Sequence, residues 1–287
     1  MDRTVLGDGI KVLLLIIMLT FIVMYVPVLN ILGLLIWPIP VVFIFLRHGM
    51  QNAVKLILIA AIVNSLLLGP LMGLITIIGF GFIGFIIGSC LEEEISPFKT
   101  LMATIGVVLV SHVVLLVLAH FFLGFEFEYF IQEFETILEQ TSELGQFQDV
   151  IQLELFKKII PGLIVTSSIV TGILQYYITI WYLQKKNFSV KIYSPLKLWS
   201  FPRLPIFFGL FFSLLFLQNT VFINLGLVLF FLLFIQGLAV GLYLIDEKLK
   251  SRLLKVVFIF SVFFLPFVSL ILTVVGLLDM WFNLRKI

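Results

Sequence analysis

Charged side chains and cysteines are both scarce in this sequence, and each scarcity excludes a class of protein. Only 12% of the 287 residues are charged, about half the share found in soluble domains. The hydrophobic class makes up 62%, which is more apolar surface than so few polar residues could cover in water. The single cysteine, Cys90, excludes a disulfide scaffold and a Cys-x-x-Cys metal site. The composition therefore indicates an integral membrane protein.

Sequence motifs for nucleotide binding and hydrolysis are missing as well. The chain has no GxxxxGK[ST] loop for ATP, no HExxH zinc motif and no GxSxG nucleophile motif. Its histidines, His48, His112 and His120, have no carboxylate at metal-ligand spacing. We therefore expect no enzyme activity, no cofactor, no metal and no nucleic-acid partner. Any uphill transport would need an ion gradient or a separate energy-supplying subunit.

Long apolar runs are what the chain has instead. Nine runs approach the ~20 residues that a helix needs to cross a bilayer. They cover residues 10–28, 31–46, 53–69, 71–90, 99–123, 160–184, 204–220, 222–245 and 255–280. These runs predict an all-α polytopic transmembrane bundle of eight or nine helices. Trp37-Pro38-Ile39-Pro40 predicts a kinked or partly unwound second span, because each proline removes a backbone donor. Gly69-Pro70 predicts a tight reversal between the third and fourth spans.

The distribution of basic residues predicts the orientation of the bundle. Lysine and arginine cluster in the stretches 185–203 and 246–255, at Arg47 and Lys55, and at Arg3 and Lys11. All of them fall on one side if nine helices cross in order, and we expect that side, with the N-terminus, to be cytoplasmic in a bacterial plasma membrane. The acidic stretch 124–159 is then extracellular. Nine crossings also leave Arg285 and Lys286 outside, so eight crossings remain an alternative.

The stretch 124–159 combines an apolar and an acidic face. Its apolar residues recur at helical spacing as Phe127, Phe130, Ile131, Phe134, Ile137 and Leu138. We expect an amphipathic helical segment on the outer mouth of the bundle. It is either a simple cap or a lid that docks a partner.

Polar residues inside the apolar runs are the candidate binding groups, because lipid penalises each one that lacks a partner. On the sixth span Ser167, Thr171, Gln175 and Thr179 repeat every four residues, which places them on one helical face. Our candidates for a solute cavity are Asn64, His112, Ser167, Thr171 and Gln175. The alternative is that these groups form hydrogen bonds between helices. Gln236 in the eighth span is a similar case.

Glycines four residues apart indicate where helices approach closely. The pairs are Gly69 and Gly73, Gly84 and Gly88, and Gly237 and Gly241. The sequence leaves open whether the partner helix belongs to this chain or to another. Arg47, after the proline-containing second span, is either a cytoplasmic anchor or a group that docks a partner or an anion. We therefore take Arg47, Gly84, Gly88, Gly237 and Gly241 as candidate anchor or partner residues.

Several short motifs resemble the YybS-like family of bacterial membrane proteins, which carries a domain of unknown function. They are Tyr25-Val26-Pro27, Pro38-Ile39-Pro40, Leu46-Arg47-His48-Gly49, Gly69-Pro70, Gln236-Gly237-Leu238-Ala239 and Gly276-Leu277-Leu278-Asp279, the last followed by Trp281 and Arg285. The resemblance covers nearly the whole chain. That family is in turn similar to the S components of energy-coupling factor transporters.

The likeness to S components implies a domain organisation and a function. It implies a six-helix core in residues 1–185, followed here by a basic loop, 186–203, and additional helices in 204–287. S components bind a small solute in the helical core and depend on a transmembrane scaffold subunit and ATPases, which fits the missing ATP motif. The first helix departs from their pattern, because Lys11–Met18 contains no alanine for scaffold contact.

Two hypotheses from different classes follow from the sequence. The first is the solute-binding membrane subunit of a transport system that depends on partner subunits for energy. The second is a non-transporting membrane scaffold of the cell envelope that organises partner proteins, suggested by the glycine pairs and the acidic outer segment.

Overall fold

The computed structural model of the chain describes residues 3–124, Tyr129 and residues 153–286, and the regular structure in these ranges is helical. The chain divides into two units. The first consists of Met1–Ile137 with Ser167–Tyr193, and the second of Leu138–Thr166 with Ser194–Ile287. Most of the predicted amphipathic segment 124–159 lies outside the described residues, so that prediction stays untested.

The first unit is built from helices that follow one another with very short connections. They are α1 (Arg3–Tyr25), α2 (Pro27–Ile36), α3 (Pro38–His48), α4 (Met50–Leu68), α5 (Pro70–Ile75), α6 (Phe82–Glu92), α7 (Pro97–Leu123) and the later part of α8 (Leu153–Lys185). A π-helical turn, Thr76–Gly81, joins α5 to α6. Its main core packs side chains of α1, α3 and α4 around Trp37 and Phe80.

The second unit contains the start of α8, a short 3₁₀ turn and four further helices. The turn is Leu196–Leu198, and the helices are α9 (Arg203–Leu215), α10 (Thr220–Leu244), α11 (Arg252–Phe264) and α12 (Pro266–Phe282). A π-helical segment, Ile245–Leu249, extends α10. Ile206, Leu229 and Leu233 form the core between α9 and α10.

Seven of the described helical stretches are long and apolar enough to cross a membrane. They are Thr4–Tyr25, Leu29–His48, Met50–Leu68, Pro70–Glu92, Pro97–Phe122, Leu155–Lys185 and Thr220–Leu249. Helices α11 and α12 together make an eighth candidate, although they are bent by more than 40° at a short break. The predicted polytopic helical bundle is confirmed.

The prediction of a full span over residues 204–220 was wrong. Helix α9 has 13 residues, which is ~20 Å at 1.5 Å per residue and short of the ~30 Å hydrocarbon core. Helix α9 ends at Leu215, and Asn219 then starts the next helix. The side-chain oxygen of Asn219 accepts a hydrogen bond from the Val221 amide at 2.9 Å, which caps that helix.

The predicted interruption of the second span is a one-residue break at Trp37, between α2 and α3. The indole is fully buried, and its ring stacks on Phe80 at a centroid distance of 4.4 Å. Its Nε1 donates a hydrogen bond to Thr20 Oγ1 at 3.1 Å. A large side chain therefore fills the space at the proline break and ties α1 to α3.

The predicted reversal at Gly69-Pro70 is also present. Gly69 has φ +98°, a left-handed conformation that favours glycine, and Pro70 starts α5 in the first helical position. Three residues later Gly73 packs against α4, where a Cβ would stand 2.9 Å from the Ala61 carbonyl oxygen. Helices α4 and α5 therefore form a tightly packed antiparallel pair.

Candidate functional site

A buried ion pair closes the end of the second unit. Asp279 lies in the last turn of α12, and Asn283, with φ +43°, turns the chain so that Arg285 returns to it. Asp279 Oδ2 lies 2.8 Å from Arg285 Nη2 and 3.2 Å from Nε. The two side chains are only 3% and 1% exposed. Hydrogen bonds between a guanidinium and a carboxylate are among the strong ones in proteins, so this pair fixes the end of the chain against α12.

Gln236 of α10 joins this ion pair to an irregular part of the chain. Its Nε2 donates to Asp279 Oδ2 at 2.6 Å, and its Oε1 accepts from the Phe201 amide at 3.1 Å. Arg285 Nη1 donates to the Lys197 carbonyl oxygen at 2.8 Å. The amide and the guanidinium thus each satisfy one backbone group of residues 197–202. This stretch begins in the 3₁₀ turn and continues without helical structure to Arg203, and we call it the unwound segment.

The ion pair lies beside Gln236, which is near the middle of the candidate span Thr220–Leu249. Gln236 falls 16 residues after Thr220 and 13 before Leu249, the ends of that span. At 1.5 Å per residue these separations are ~24 and ~20 Å. Ionisable groups at such depth are costly and usually mark a functional site.

The unwound segment and α9 form a discontinuous element beside the candidate span of α10. The segment reaches Gln236 at mid-span, and α9 then runs antiparallel to the first half of α10, because Gly209 faces Leu229 and Ser213 faces Gly226. Non-helical backbone at membrane depth is tolerated only where it is buried in protein or lines a cavity. Discontinuous helices of this kind form substrate and ion sites in many transporters.

Two glycines let α10 and α12 approach closely enough to bury the ion pair. A Cβ on Gly237 would overlap the carbonyl of Leu272, and one on Gly276 would overlap the carbonyl of Leu233. The second glycine of the predicted pair, Gly241, faces the ring of Phe258 on α11. The partner helices of the Gly237 and Gly241 pair therefore belong to this chain.

A second, exposed charge network lies at the end of α10. Lys197 Nζ lies 2.9 Å from Glu247 Oε1 and 3.5 Å from Asp246 Oδ2, and Lys255 Nζ lies 3.0 Å from Asp246. The hydrogen bond to Glu247 raises the pKa of Lys197 above its ordinary value, since it favours the ammonium form. These pairs tie the start of α11 and the mouth of the unwound segment to the end of α10.

Asp279 retains unused hydrogen-bonding capacity. Its Oδ2 receives all three bonds described above, whereas its buried Oδ1 has no hydrogen-bond partner among the residues that the structure describes. A carboxylate oxygen in this position can accept a hydrogen bond from a ligand. No three His, Cys, Asp or Glu side chains come together at metal-binding distance within the described ranges.

The predicted cavity residues of the first unit take part in contacts between helices. Asn64 is fully buried, and its Nδ2 donates to Thr20 Oγ1 at 3.1 Å and to Thr76 Oγ1 at 2.9 Å. Gln175 Nε2 donates to the Leu34 carbonyl at 3.1 Å. That carbonyl has no helical donor because Pro38, four residues later, lacks an N–H. Gln175 therefore repairs the hydrogen bond that the proline break removes.

The remaining predicted cavity residues are placed differently. His112 Nδ1 lies 2.8 Å from Ser168 Oγ, a contact between α7 and α8. Thr171 is half-buried and Ser167 is exposed. Two cavities of the first unit, of about 210 and 480 Å³, are lined by other residues. The structure thus joins Asn64, His112 and Gln175 to neighbouring helices, and their role in solute binding stays a prediction.

The predicted anchor residues of the first unit also make contacts within the chain. Arg47 Nε lies 3.2 Å from Asp8 Oδ2, so it links α3 to α1. A Cβ on Gly84 would stand 2.7 Å from Val41 Cβ, and one on Gly88 would stand 2.6 Å from Phe45 Cγ. These glycines allow α6 to pack directly on α3.

Two asparagines that the sequence reasoning missed bond backbone groups near other prolines. Asn30 Nδ2 donates at 2.6 Å to the Val23 carbonyl, which Pro27 leaves without a donor. Asn224 stands beside Pro161 in α8, where its Oδ1 accepts from Gly162 N–H and its Nδ2 donates to the Lys158 carbonyl at 2.7 Å. It replaces the helical bond between those two residues.

Different signals could have identified the missed groups. A proline inside an apolar run predicts a free carbonyl four residues earlier, and an amide in another run is its natural partner. Asp279 is an acidic residue inside the last apolar run. It lies near the end of that run, where the sequence alone does not distinguish a buried acid from one that flanks a span.

The fold and the buried mid-span ion pair define a polytopic helical integral membrane protein. The chain belongs to a family described as predicted membrane protein (DUF2232), which matches residues 12–280. It is similar to the uncharacterized protein YybS of Bacillus subtilis (strain 168), with 23% identity over 302 residues that cover 98% of this chain and 97% of that protein. No solved structure matches. The predicted family resemblance is confirmed, whereas the likeness to S components has no counterpart among these matches.

Proposed function

We propose that this protein is the solute-binding membrane subunit of a transport system, and that its solute carries a carboxylate or phosphate group. The observation that carries the proposal is the discontinuous element formed by residues 197–215, held at mid-span by Gln236, Asp279 and Arg285. Backbone that leaves helical geometry at this depth is expensive in lipid. A transport function gives a reason for it, because a non-helical segment offers hydrogen-bonding groups and can move.

Arg285 is the group that would recognise the solute. It bonds Asp279 through Nε and Nη2, the same two donors that a carboxylate or phosphate takes in a bidentate complex. A solute that replaced Asp279 there would leave that carboxylate buried without its cation, which is costly unless the side chain moves. Because Arg285 also holds the Lys197 carbonyl, a movement of Arg285 toward the solute would free the Lys197 end of the unwound segment.

The first unit offers the second candidate location for the solute. Asn64 Oδ1 and Gln175 Oε1 are buried and have no hydrogen-bond partner among the described residues. They could accept hydrogen bonds from a solute bound near His112, Ser167 and Thr171.

Because the sequence has no ATP-binding loop, we keep transmembrane scaffold and ATPase subunits as proposed partners. The proposal includes no catalytic step.

The scaffold hypothesis loses one of its reasons. It rested partly on glycine pairs that could dock a partner protein, but Gly84, Gly88, Gly237 and Gly241 pack against helices of this chain. They are therefore already occupied, and the transport hypothesis is the better supported of the two.

Ligand-induced stabilisation tests the proposed function. The full chain in nanodiscs is screened against small carboxylates, phosphate esters and their neutral amide or alcohol analogues. A ligand present at 100 times its Kd should stabilise the protein by ~2.7 kcal/mol. We expect a thermal shift from at least one anionic compound and none from its neutral analogue. No shift from any compound would contradict the proposal.

Two variants then locate the site. Arg285→Lys retains the charge but not the planar fork, so it should weaken binding at the mid-span ion pair. Gln175→Leu alters the candidate location in the first unit. Loss of the shift in Arg285→Lys alone assigns the solute to the second unit, and loss in Gln175→Leu alone assigns it to the first.

A further inference from the structure

An apolar cleft opens between α1, α3 and α4 of the first unit. It has a volume of about 210 Å³ and is lined along α1 by Val5, Leu6, Gly9, Ile10 and Leu13. Ile44, Leu56 and Ile59 form the opposite wall. The α1 residues lie at i, i+4 spacing, so the cleft runs along the helix axis for ~12 Å. Its shape is a groove along a membrane span.

Glycine gives the cleft its depth. A Cβ on Gly9 would find no atom within 4 Å, so the space beside this residue is open. Leu6, Ile10 and Ile59 are about half exposed beside it, which makes the surrounding face one that contacts hydrocarbon rather than water. The occupant of such a groove must itself be a hydrocarbon chain.

The polar groups that line the cleft come from the end of α3 and the first turns of α4. His48, Asn52 and Lys55 line it there, and Arg47 is adjacent. Asp8, the acidic group beside them, is already bonded to Arg47 at 3.2 Å and to His48 at 3.0 Å. Lys55 is exposed and forms no ion pair with any residue in the described ranges. The rim therefore carries a cation that is open to a negatively charged group.

We propose that this cleft binds an anionic phospholipid, with one acyl chain along α1 and the phosphate at Lys55. The apolar walls match the acyl chain, and the cationic rim matches the phosphate and a negatively charged headgroup. A basic residue at the membrane surface contributes about 1 kcal/mol to the binding of an anionic lipid, which corresponds to about a fivefold higher affinity. Occupancy would brace α1 against α3 and α4 near the ion pair of Asp8 with Arg47. This site is separate from the mid-span site of the proposed function.

Native mass spectrometry of the full chain tests the proposal. The protein is reconstituted into vesicles of equal parts phosphatidylglycerol and phosphatidylcholine with identical acyl chains, and bound lipid is counted after release. We expect one retained phosphatidylglycerol per chain, at about fivefold preference over phosphatidylcholine. Gly9→Leu fills the cleft and should abolish that retention. Gly7→Leu is the matched control, since Gly7 is also open but does not line the cleft.

A second pair of variants tests the headgroup contact independently. Lys55→Gln should remove the preference for phosphatidylglycerol but leave lipid bound, whereas Lys99→Gln, at an exposed lysine of α7, should leave the preference unchanged. Equal retention of lipid by Gly9→Leu and Gly7→Leu would overturn the proposal. Equal binding of the two lipids by the unsubstituted chain would overturn it as well.

Discussion

A buried ion pair holds the end of the second unit. Arg285 donates two hydrogen bonds to Asp279 Oδ2, and both side chains are almost fully buried. A buried ion pair adds little net stability, because desolvation offsets the attraction, but removing one member leaves an uncompensated charge. The pair is therefore best understood as a constraint on structure, and its two members should be strongly coupled.

Substitution of one member of the buried pair should be far more harmful than substitution of both. We expect Arg285→Leu to lower the free energy of unfolding by about 3–5 kcal/mol, since Asp279 is left buried and unpaired. The double variant Asp279→Leu with Arg285→Leu should recover most of that loss. Denaturant unfolding in detergent, followed by tryptophan fluorescence, measures both.

The exposed pair of Lys255 with Asp246 provides the control. Lys255→Gln should cost no more than about 1 kcal/mol, because its side chain is 41% exposed. Equal losses for the Lys255 and Arg285 variants would show that the mid-span pair is hydrated, contrary to the structure.

Gln175 and Pro38 should be coupled although they lie on different helices. Gln175→Leu removes the donor to the Leu34 carbonyl and should cost ~0.6–1.7 kcal/mol. Pro38→Ala restores an N–H four residues after Leu34, so the Gln175→Leu substitution should cost less in that background. A double-mutant cycle measures the coupling. Strictly additive losses would mean that the glutamine does not replace the missing helical bond.

The sequence shows which polar residues lie inside apolar runs, but it does not show which groups they bond. This limits what could be predicted for single residues. The mid-span polarity of Asn64, Gln175 and Gln236 was apparent from the sequence. Their partners were not, because two of them are backbone groups of Leu34 and Phe201. The sequence does not show which backbone carbonyl or amide needs a side-chain partner, except where a proline removes the helical donor of a carbonyl.

At the scale of elements, glycine controls the approach of α10 and α12. A Cβ on Gly237 would overlap the Leu272 carbonyl, which is backbone and cannot move aside alone. The two helices must then separate, and the cavity or strain that results costs energy. Because Gln236 and Asp279 lie on these two helices, separation should also weaken the mid-span site.

Gly237→Ala should therefore lower the free energy of unfolding by about 1–3 kcal/mol. Gly106→Ala on α7 is the matched control, because a Cβ there meets no atom within 4 Å. It should be neutral or stabilising by up to about 1 kcal/mol, as expected for glycine replaced by alanine in a helix. The same stability for both alanine variants would contradict the close packing of α10 on α12.

Helix positions could be predicted from apolar runs, but helix lengths could not. Eight of the nine predicted regions agree with a full or bent candidate span, because ~20 apolar residues are a strong signal. The region 204–220 is equally apolar, yet its helix spans only Arg203–Leu215. The difference lies at its end, where Asn219 caps the next helix through the Val221 amide.

At the scale of the whole molecule, the charge pattern predicts which ends of the helices face the cytoplasm. Cys90 is buried, so labelling of the native thiol reports poorly on sidedness. In a Cys90→Ala background we expect an impermeant thiol reagent, applied to intact cells, to react with Tyr129→Cys but not with Lys191→Cys or Lys248→Cys. The two lysines belong to the basic stretches that the positive-inside rule places in the cytoplasm. The reverse labelling pattern would overturn the predicted orientation.

Cysteine cross-linking in native membranes tests the central structural claim, which is that the unwound segment descends to the middle of α10. Phe201→Cys is paired with Leu233→Cys, or with Leu244→Cys on the same helical face and ~16 Å closer to the end of α10. Both pairs carry Cys90→Ala. The structure packs Phe201 against the cluster that contains Leu233, so a short bifunctional thiol reagent should link residues 201 and 233. Linkage of 201 to 244 instead would place the segment at the membrane surface and contradict the mid-span site.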